Sequence, residues 1–418
     1  MADEWRERPF GDLTENFDSI RVPVKEAERR AGPYPYYGAS GIVDYVDNYL
    51  FDGNYLLLAE DGENLRTRNT PVAFLARGKF WVNNHAHIVR ANDEADTRFL
   101  MYALSGTDIT GYLTGSTMPK LTQGNMNRIL LRAPPLNEQR AIAHILGTLD
   151  EKIDLNLRMN ETLEAMALAI FKSWFVDFDP VRAKAEGRAP SLPAPITDLF
   201  PNWFEDSELG EIPAGWAVGR FGDVVEILRD QDNPLESPDA LFAHYSIPAF
   251  DEGQRPKTEH GESIRSLKFS VPSGIVLLSK LNPEIERVWL VDVHPEERAV
   301  CSTEFLVLRG RAPFTRTYVY CLARSMVFRQ QIEALVTGTS KSHQRAQGDS
   351  VLGLRVVVPP AAVVRAFEHA VGAALPRTLD CRRESVTLAS LRDALLPKLI
   401  SGELRVEDAE RFVTEATP

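Results

Sequence analysis

The strongest constraint on the fold of this 418-residue chain is that its sequence is written twice. WRERPFGDL, from Trp5 to Leu13, returns as WAVGRFGDV, from Trp216 to Val224. Trp5, Phe10, Gly11 and Asp12 match Trp216, Phe221, Gly222 and Asp223 at a constant offset of 211. Further on, Thr114-Gly115 matches Thr337-Gly338, and Gln123-Gly124 matches Gln347-Gly348. Pro134-Pro135 then matches Pro359-Pro360 at an offset of 225, and Arg140, His144, Gly147 and Leu163 match Arg365, His369, Gly372 and Leu388 at that same offset. The order is domain, helical segment, domain, helical segment, in keeping with a length too great for one ordinary core.

Each globular part mixes two periodicities. Residues 54–62, 71–76, 85–91, 274–280, 287–293 and 304–310 are short apolar runs bounded by turn residues and predict strands. Residues 96–106 and 315–335 predict helices. The fold class is therefore mixed α/β (α+β), with two similar globular domains. Between the halves, Val181 to Trp216 is rich in Pro and Gly and predicts an extended connector.

After Pro135 the chain runs 40 residues without proline. Apolar residues fall at Ile142, Leu146, Leu149, Ile153, Leu163, Ile170 and Trp174, the four-and-three spacing of a coiled-coil seam. Asn156, Asn160 and Ala167 interrupt it; a polar seam residue lowers stability but fixes register. Gly147 predicts a break between a short first helix and a long one from Thr148 to Phe175, about 40 Å in length. The segment from Val363 to Ile400 is a weaker copy, with Pro376 suited to a first turn and Pro397 expected to kink or end the helix. The two long helices are expected to pair antiparallel as a rod. Ala143, Leu146, Leu157 and Met166 then fall on helix surface beyond the seam, and Phe171, Trp174 and Phe175 form an aromatic end. These seven are the candidate partner contacts.

Charge is distributed unevenly. The net charge is −12, yet Asn64 to Arg90 holds five basic residues and no acid, and Arg309 to Arg345 holds seven bases against Glu333 alone. Phosphate binding needs a local patch rather than a basic whole. Cys301, Cys321 and Cys381 are odd in number and lack metal-ligand spacing, which predicts reduced, buried thiols. No secretory signal or membrane-length apolar run occurs, so a cytoplasmic protein is expected. No phosphate loop, dinucleotide loop or base-flipping methyltransferase motif is found. Asp150-Glu151-Lys152 resembles the end of a nuclease metal site but falls in the helix, where a solvated face is expected. His85 and His87 predict a packed or hydrogen-bonded pair rather than metal ligands.

Several segments carry a family resemblance. Pro134 to Pro180 resembles the central helical region of type I restriction–modification specificity subunits. DSELGEIPAGW, from Asp206 to Trp216, resembles the entry to their second recognition domain, and LRDALLPKLISGELRV, from Leu391 to Val406, their C-terminal helical region. TGSTMPKL, from Thr114 to Leu121, resembles the loop near the end of their recognition domains. One departure is PAAVVRAFEHAVGAAL, which lacks the Asn-Glu-Gln of 137–139.

The resemblance implies a first target-recognition domain at 1–133, a central helical region at 134–180 and a connector at 181–215. A second recognition domain follows at 216–358, then a C-terminal helical region at 359–408 and a tail at 409–418. It implies a non-catalytic subunit binding a bipartite site on double-stranded DNA, with the helices as ruler. Partners would be two adenine methyltransferase subunits and ATP-dependent nuclease subunits. S-adenosylmethionine, ATP and magnesium would be used by those partners and not by this chain. Candidate DNA contacts are Ser116, Thr117 and Lys120 in one loop, Ser340, Lys341, His343, Gln344 and Arg345 in its counterpart, and Arg77 and Lys79 in the first basic run. Two other readings stay open: the recognition subunit of another restriction class with this architecture, and a scaffold that does not bind DNA.

Overall fold

In the computed structural model, which describes residues 5–189, 191–294, 296–336 and 344–416, the chain divides into two units. One holds residues 1–156 with 383–418, the other residues 157–382. The first unit contains a six-stranded mixed sheet. Its strands are β1 (Thr14–Asn16), β2 (Ala31–Gly38), β3 (Gly41–Val46), β4 (Phe51–Ala59), β5 (Ala73–Val82) and β6 (Ala86–Ala91), in the order β1-β6-β4-β5-β2-β3. In β4, Leu56, Leu57 and Leu58 are all buried, because both faces of the strand are covered. Leu56 and Leu58 face α1 (Thr97–Gly106) and the core around it, while Leu57 joins Phe51 and Phe80 on the other side. Asp96 caps α1 by accepting from the amides of Arg98 and Phe99.

The second unit builds its domain from two sheets. One joins β7 (Val225–Leu228), β12 (Val276–Ser279), β13 (Val288–Leu290) and β15 (Phe305–Gly310) in the order β7-β15-β12-β13. The other joins β8 (Gln231–Asp232), β9 (Leu241–Tyr245), β10 (Lys257–His260), β11 (Lys268–Ser270) and β14 (Arg298–Cys301) in the order β8-β11-β14-β9-β10. The single helix expected over 315–335 is two, α3 (Arg316–Arg324) and α4 (Met326–Ala334). Ser325 is extended (ψ 141°) and accepts from the amide of Phe328, ending one helix and capping the next. The connector is not extended either. Asp179–Ala185 and Ala194–Thr197 are helical, Phe204–Ser207 and Gly210–Pro213 form a hairpin, and Val181, Phe200 and Ile212 are buried in this unit's core. Apolar residues inside a Pro- and Gly-rich stretch gave it something to bury.

The helix α2 (Leu136–Phe175) is unbroken over 40 residues, so Gly147 does not divide it. Gly147 is there for space, because a Cβ would stand 2.0 Å from Arg98 Nη1. The copy does break, between α5 (Ala361–Val371) and α6 (Ala374–Ser401), at Gly372, the counterpart of Gly147. Pro376 lies in the first turn of α6 as expected, but Pro397 does not end the helix. The stop is Gly402, at φ +73°.

Each unit owns one half of each long helix, and within each the halves pair. In the first, Asp150 meets Arg392 at 2.8 Å, Lys152 meets Glu384 at 3.3 Å, and Asn156 Nδ2 donates to Glu384 at 3.0 Å; the partner number drops from 392 at Asp150 to 384 at Lys152 and Asn156, so the helices are antiparallel. In the second, Cys381 approaches Met159 at 3.6 Å and Arg382 meets Glu164 at 2.7 Å. Glu151 is exposed and Asp150 half-buried, as a solvated helix face requires, but both carboxylates are engaged. Asp150 also accepts from Tyr102 at 2.5 Å, and Glu151 from Arg98 at 2.5 Å, fastening α1 to α2. Glu164 does the same in the second unit, where Arg324 of α3 reaches it at 2.9 Å.

Candidate nucleic-acid interface

The loop between Thr114 and Lys120 is closed by two backbone bonds, from the Thr114 amide to the Lys120 carbonyl at 2.8 Å and from the Lys120 amide to the Thr114 carbonyl at 2.7 Å. Gly115 sits at φ +86°, and a Cβ there would lie 2.2 Å from the Met118 carbonyl oxygen, so only glycine fits. Ser116, Thr117 and Met118 form an exposed tip. The base hangs on the end of β4: Leu121 N donates to Glu60 O at 2.8 Å, and Gly62 N to Pro119 O at 3.1 Å.

A buried ionic cluster supports this base. His87 Nε2 lies 2.7 Å from Leu121 O, and Nδ1 lies 2.6 Å from Asp18 Oδ2. Both ring nitrogens face acceptors, so the two hydrogen bonds are complete only with a proton on each. Arg21 bridges Glu60 at 2.8 Å and Asp18 at 3.5 Å, and Lys120 meets Glu60 at 3.1 Å. Burial opposes ionisation of Asp18, yet its bond to His87, the His87 charge, the Ile88 amide and Arg21 outweigh it and hold the carboxyl below its ordinary range. Glu60 is lowered in the same way, by Arg21, Lys120 and His87 against burial. His85 pairs separately with Asp61 at 2.9 Å. The histidine pair is therefore hydrogen-bonded, and no local pattern marks the Asp18–Arg21–Glu60 cluster around His87.

The second unit repeats the suspension with other residues. Ala346 N donates to Lys280 O at 2.9 Å, Asn282 N to Gln344 O at 2.8 Å, and Lys280 N to Glu304 O at 2.9 Å, as Glu60 N does to His85 O at 2.8 Å. Arg345 grips Glu304 with Nε at 3.0 Å and Nη2 at 2.9 Å. Ser340, Lys341 and His343 lie outside the described residues.

The first basic run is less free than its sequence implies. Acids absent from 64–90 arrive from elsewhere: Glu151 lies 4.0 Å from Arg77, and Glu15 lies 2.9 Å from Arg90. Lys79 sits 4.6 Å over the Tyr49 ring, and Arg68 donates to the carbonyls of Ser105 and Thr107. Of the partner-contact candidates, Leu157 and Met166 are exposed. The other five are not on the surface: Ala143 and Leu146 are buried in the first unit's core, and Phe171, Trp174 and Phe175 in the second's. The helices pack on their own domains as well as on each other, so a second apolar face is already covered. Cys301, Cys321 and Cys381 are buried and form no disulfide, and burial pushes the Cys301 and Cys321 thiols up to about 12.

Residues 2–165 match the type I restriction modification DNA specificity domain. Over 431 aligned positions the chain is 23% identical to the type I restriction enzyme MjaIX specificity subunit of Methanocaldococcus jannaschii, covering 97% of this chain and 94% of that protein. Residues 2–165 thus carry the type I DNA specificity domain, and the chain as a whole is similar to type I specificity subunits. A shorter match, 37% identical over 146 residues, covers 35% of the chain and 37% of a putative type I specificity subunit of Haemophilus influenzae. The fold of the chain agrees with the crystal structure of a type I restriction–modification S subunit from M. genitalium, at a TM-score of 0.63 and 14% identity, over 94% of this chain and 96% of that one.

Proposed function

We propose that the chain reads a bipartite site on double-stranded DNA for a type I restriction–modification complex, one part per unit, and performs no chemistry itself. The observation that carries this reading is the loop suspension. Two domains with different side chains anchor Leu121 and Ala346, the residues that follow Lys120 and Arg345, by equivalent backbone bonds, as two readers of different sequences would. Side chains at the loop tips would meet base edges, and the surrounding cations phosphates. Adenine methylation with S-adenosylmethionine belongs to two partner methyltransferase subunits, and ATP- and magnesium-dependent cleavage to further subunits. The long helices offer the partner surface, with Leu157 and Met166 exposed on α2. A cytoplasmic location follows from this role.

Methylome sequencing of cells expressing the methyltransferase partner, with and without this chain, tests the reading. It predicts methylated adenines at a split motif only when the chain is present. Methylation unchanged by the chain would refute it. The net charge of −12 and the paired cations favour one other reading, a scaffold without DNA contact. That reading predicts that the purified chain binds no duplex even at low salt, whereas a reader binds and loses affinity steeply as salt rises.

A further inference from the structure

Both units place a cation at the same point and hold it with a carboxylate from a different point. Lys120 and Arg345 each precede the residue whose amide hangs the loop, Leu121 on Glu60 O and Ala346 on Lys280 O. Glu60 is therefore the counterpart of Lys280, and His85 the counterpart of Glu304. Lys120 pairs with Glu60, but Arg345 pairs with Glu304. The acid has moved from one strand end to another while the pairing has stayed. As a contribution to folding a half-exposed pair of this kind matters little, because solvent screens it.

The exposure is lopsided in the same sense in both. The Lys120 side chain is 50% exposed against 14% for Glu60, and Arg345 is 49% exposed against 22% for Glu304. The acid is the sheltered member and the cation the one that solvent reaches. Arg345 spends Nε and Nη2 on Glu304, which fixes the plane of its fork and leaves Nη1 outside the pair. A free cation on a loop follows any phosphate, whereas a held one contributes only where the duplex presents an acceptor at its fixed position.

We infer that Glu60 and Glu304 are positioning residues for sequence selectivity, Glu60 holding Lys120 beside the sheltered Arg21 and Glu304 holding Arg345, each cancelling charge that would otherwise favour any DNA. The inference rests on the DNA-reading function proposed above. The test is methylome sequencing of cells carrying the full chain, its Glu304→Gln variant or its Glu60→Gln variant, with the partner methyltransferase. Glu304→Gln relaxes base choice in one half-site by about tenfold, the effect of one lost orienting contact, and leaves the other half as strict as before. Glu60→Gln relaxes the opposite half. Arg345→Gln relaxes the same half as Glu304→Gln, and the double variant adds nothing, because the acid acts through the arginine. The inference is overturned if Glu304→Gln methylates both half-sites as strictly as the unaltered chain, or if it relaxes the half that Glu60→Gln relaxes. Should Glu304→Gln abolish methylation by misfolding, Arg345→Gln decides alone, and a strict second half-site would sink the proposal. If the unaltered chain directs no methylation, the failure lies with the DNA-reading function instead.

Discussion

Gly147 leaves room inside α2 for the Arg98 side chain, which pairs there with Glu151. Alanine is worth about 1 kcal/mol over glycine in an ordinary helix interior. At this position Gly147→Ala displaces Arg98 and is expected to destabilise. In an Arg98→Ala background the same change recovers the gain of about 1 kcal/mol. Urea titrations of the four proteins measure the coupling, and equal effects in both backgrounds would contradict it. Asp18 gives a pH prediction. Its folded value lies below the ordinary 3.8, so its stabilisation is fully present above the unfolded value and is lost as pH falls through the folded one. Glu60 acts in the same direction from an ordinary 4.5. Unfolding free energy should drop between about pH 5 and pH 2, and Asp18→Asn should cost about 1–3 kcal/mol at neutral pH while flattening that drop. An Asp18→Asn protein with the unaltered pH profile would show that the cluster carries no linkage.

At the scale of the element, α2 does two jobs at its far end. Trp174 packs against Phe200 at 5.3 Å between ring centres, and Phe175 against Tyr318 at 5.2 Å. Trp174→Ala should therefore cost about 3–5 kcal/mol of the second unit's stability. Leu157→Glu and Met166→Glu lie on exposed surface and should change stability by under about 0.5 kcal/mol, yet release the methyltransferase in co-purification. A stable Trp174→Ala chain, or Glu variants that keep their partner at full stoichiometry, would reverse these roles. Strands β4, β6, β12, β13 and β15 were legible because apolar runs bounded by turn residues are local signals. α2 was legible from its seam, although Gly147 misled: a glycine codon records a missing Cβ, not what fills the space. The ionic fastenings were not legible. Asp150 takes one partner 48 residues away and another 242 away, and no local pattern marks Tyr102 or Arg392. Of the candidate reading loop, Gly115 and the tip were visible in the repeated Thr-Gly, while Asp18, Arg21 and Glu60 beneath it sit in unrelated sequence.

For the whole molecule, the repeat makes a quantitative claim about length and a qualitative one about independence. The two units meet the chain at Asn156/Leu157 and Arg382/Arg383, points that fall within α2 and α6. Four residues inserted after Leu157 and four after Arg382 add about 6 Å to each helix, roughly one turn, which returns the seam to nearly its original face. If the helices set the interval between readers, the methylated motif keeps both half-sites and gains nearly 2 base pairs of spacer, at about 3.4 Å each. An active double insertion with an unchanged spacer would show that they do not. Independence is the central claim, and among the described residues each unit has its own large core cluster. The most direct measurement replaces residues 1–133 with the first domain of another family member and maps the methylated motif in cells carrying the partner methyltransferase. The two-reader account predicts that one half-site changes while the other half-site and the spacer stay as they were. A motif in which both halves change together would contradict it.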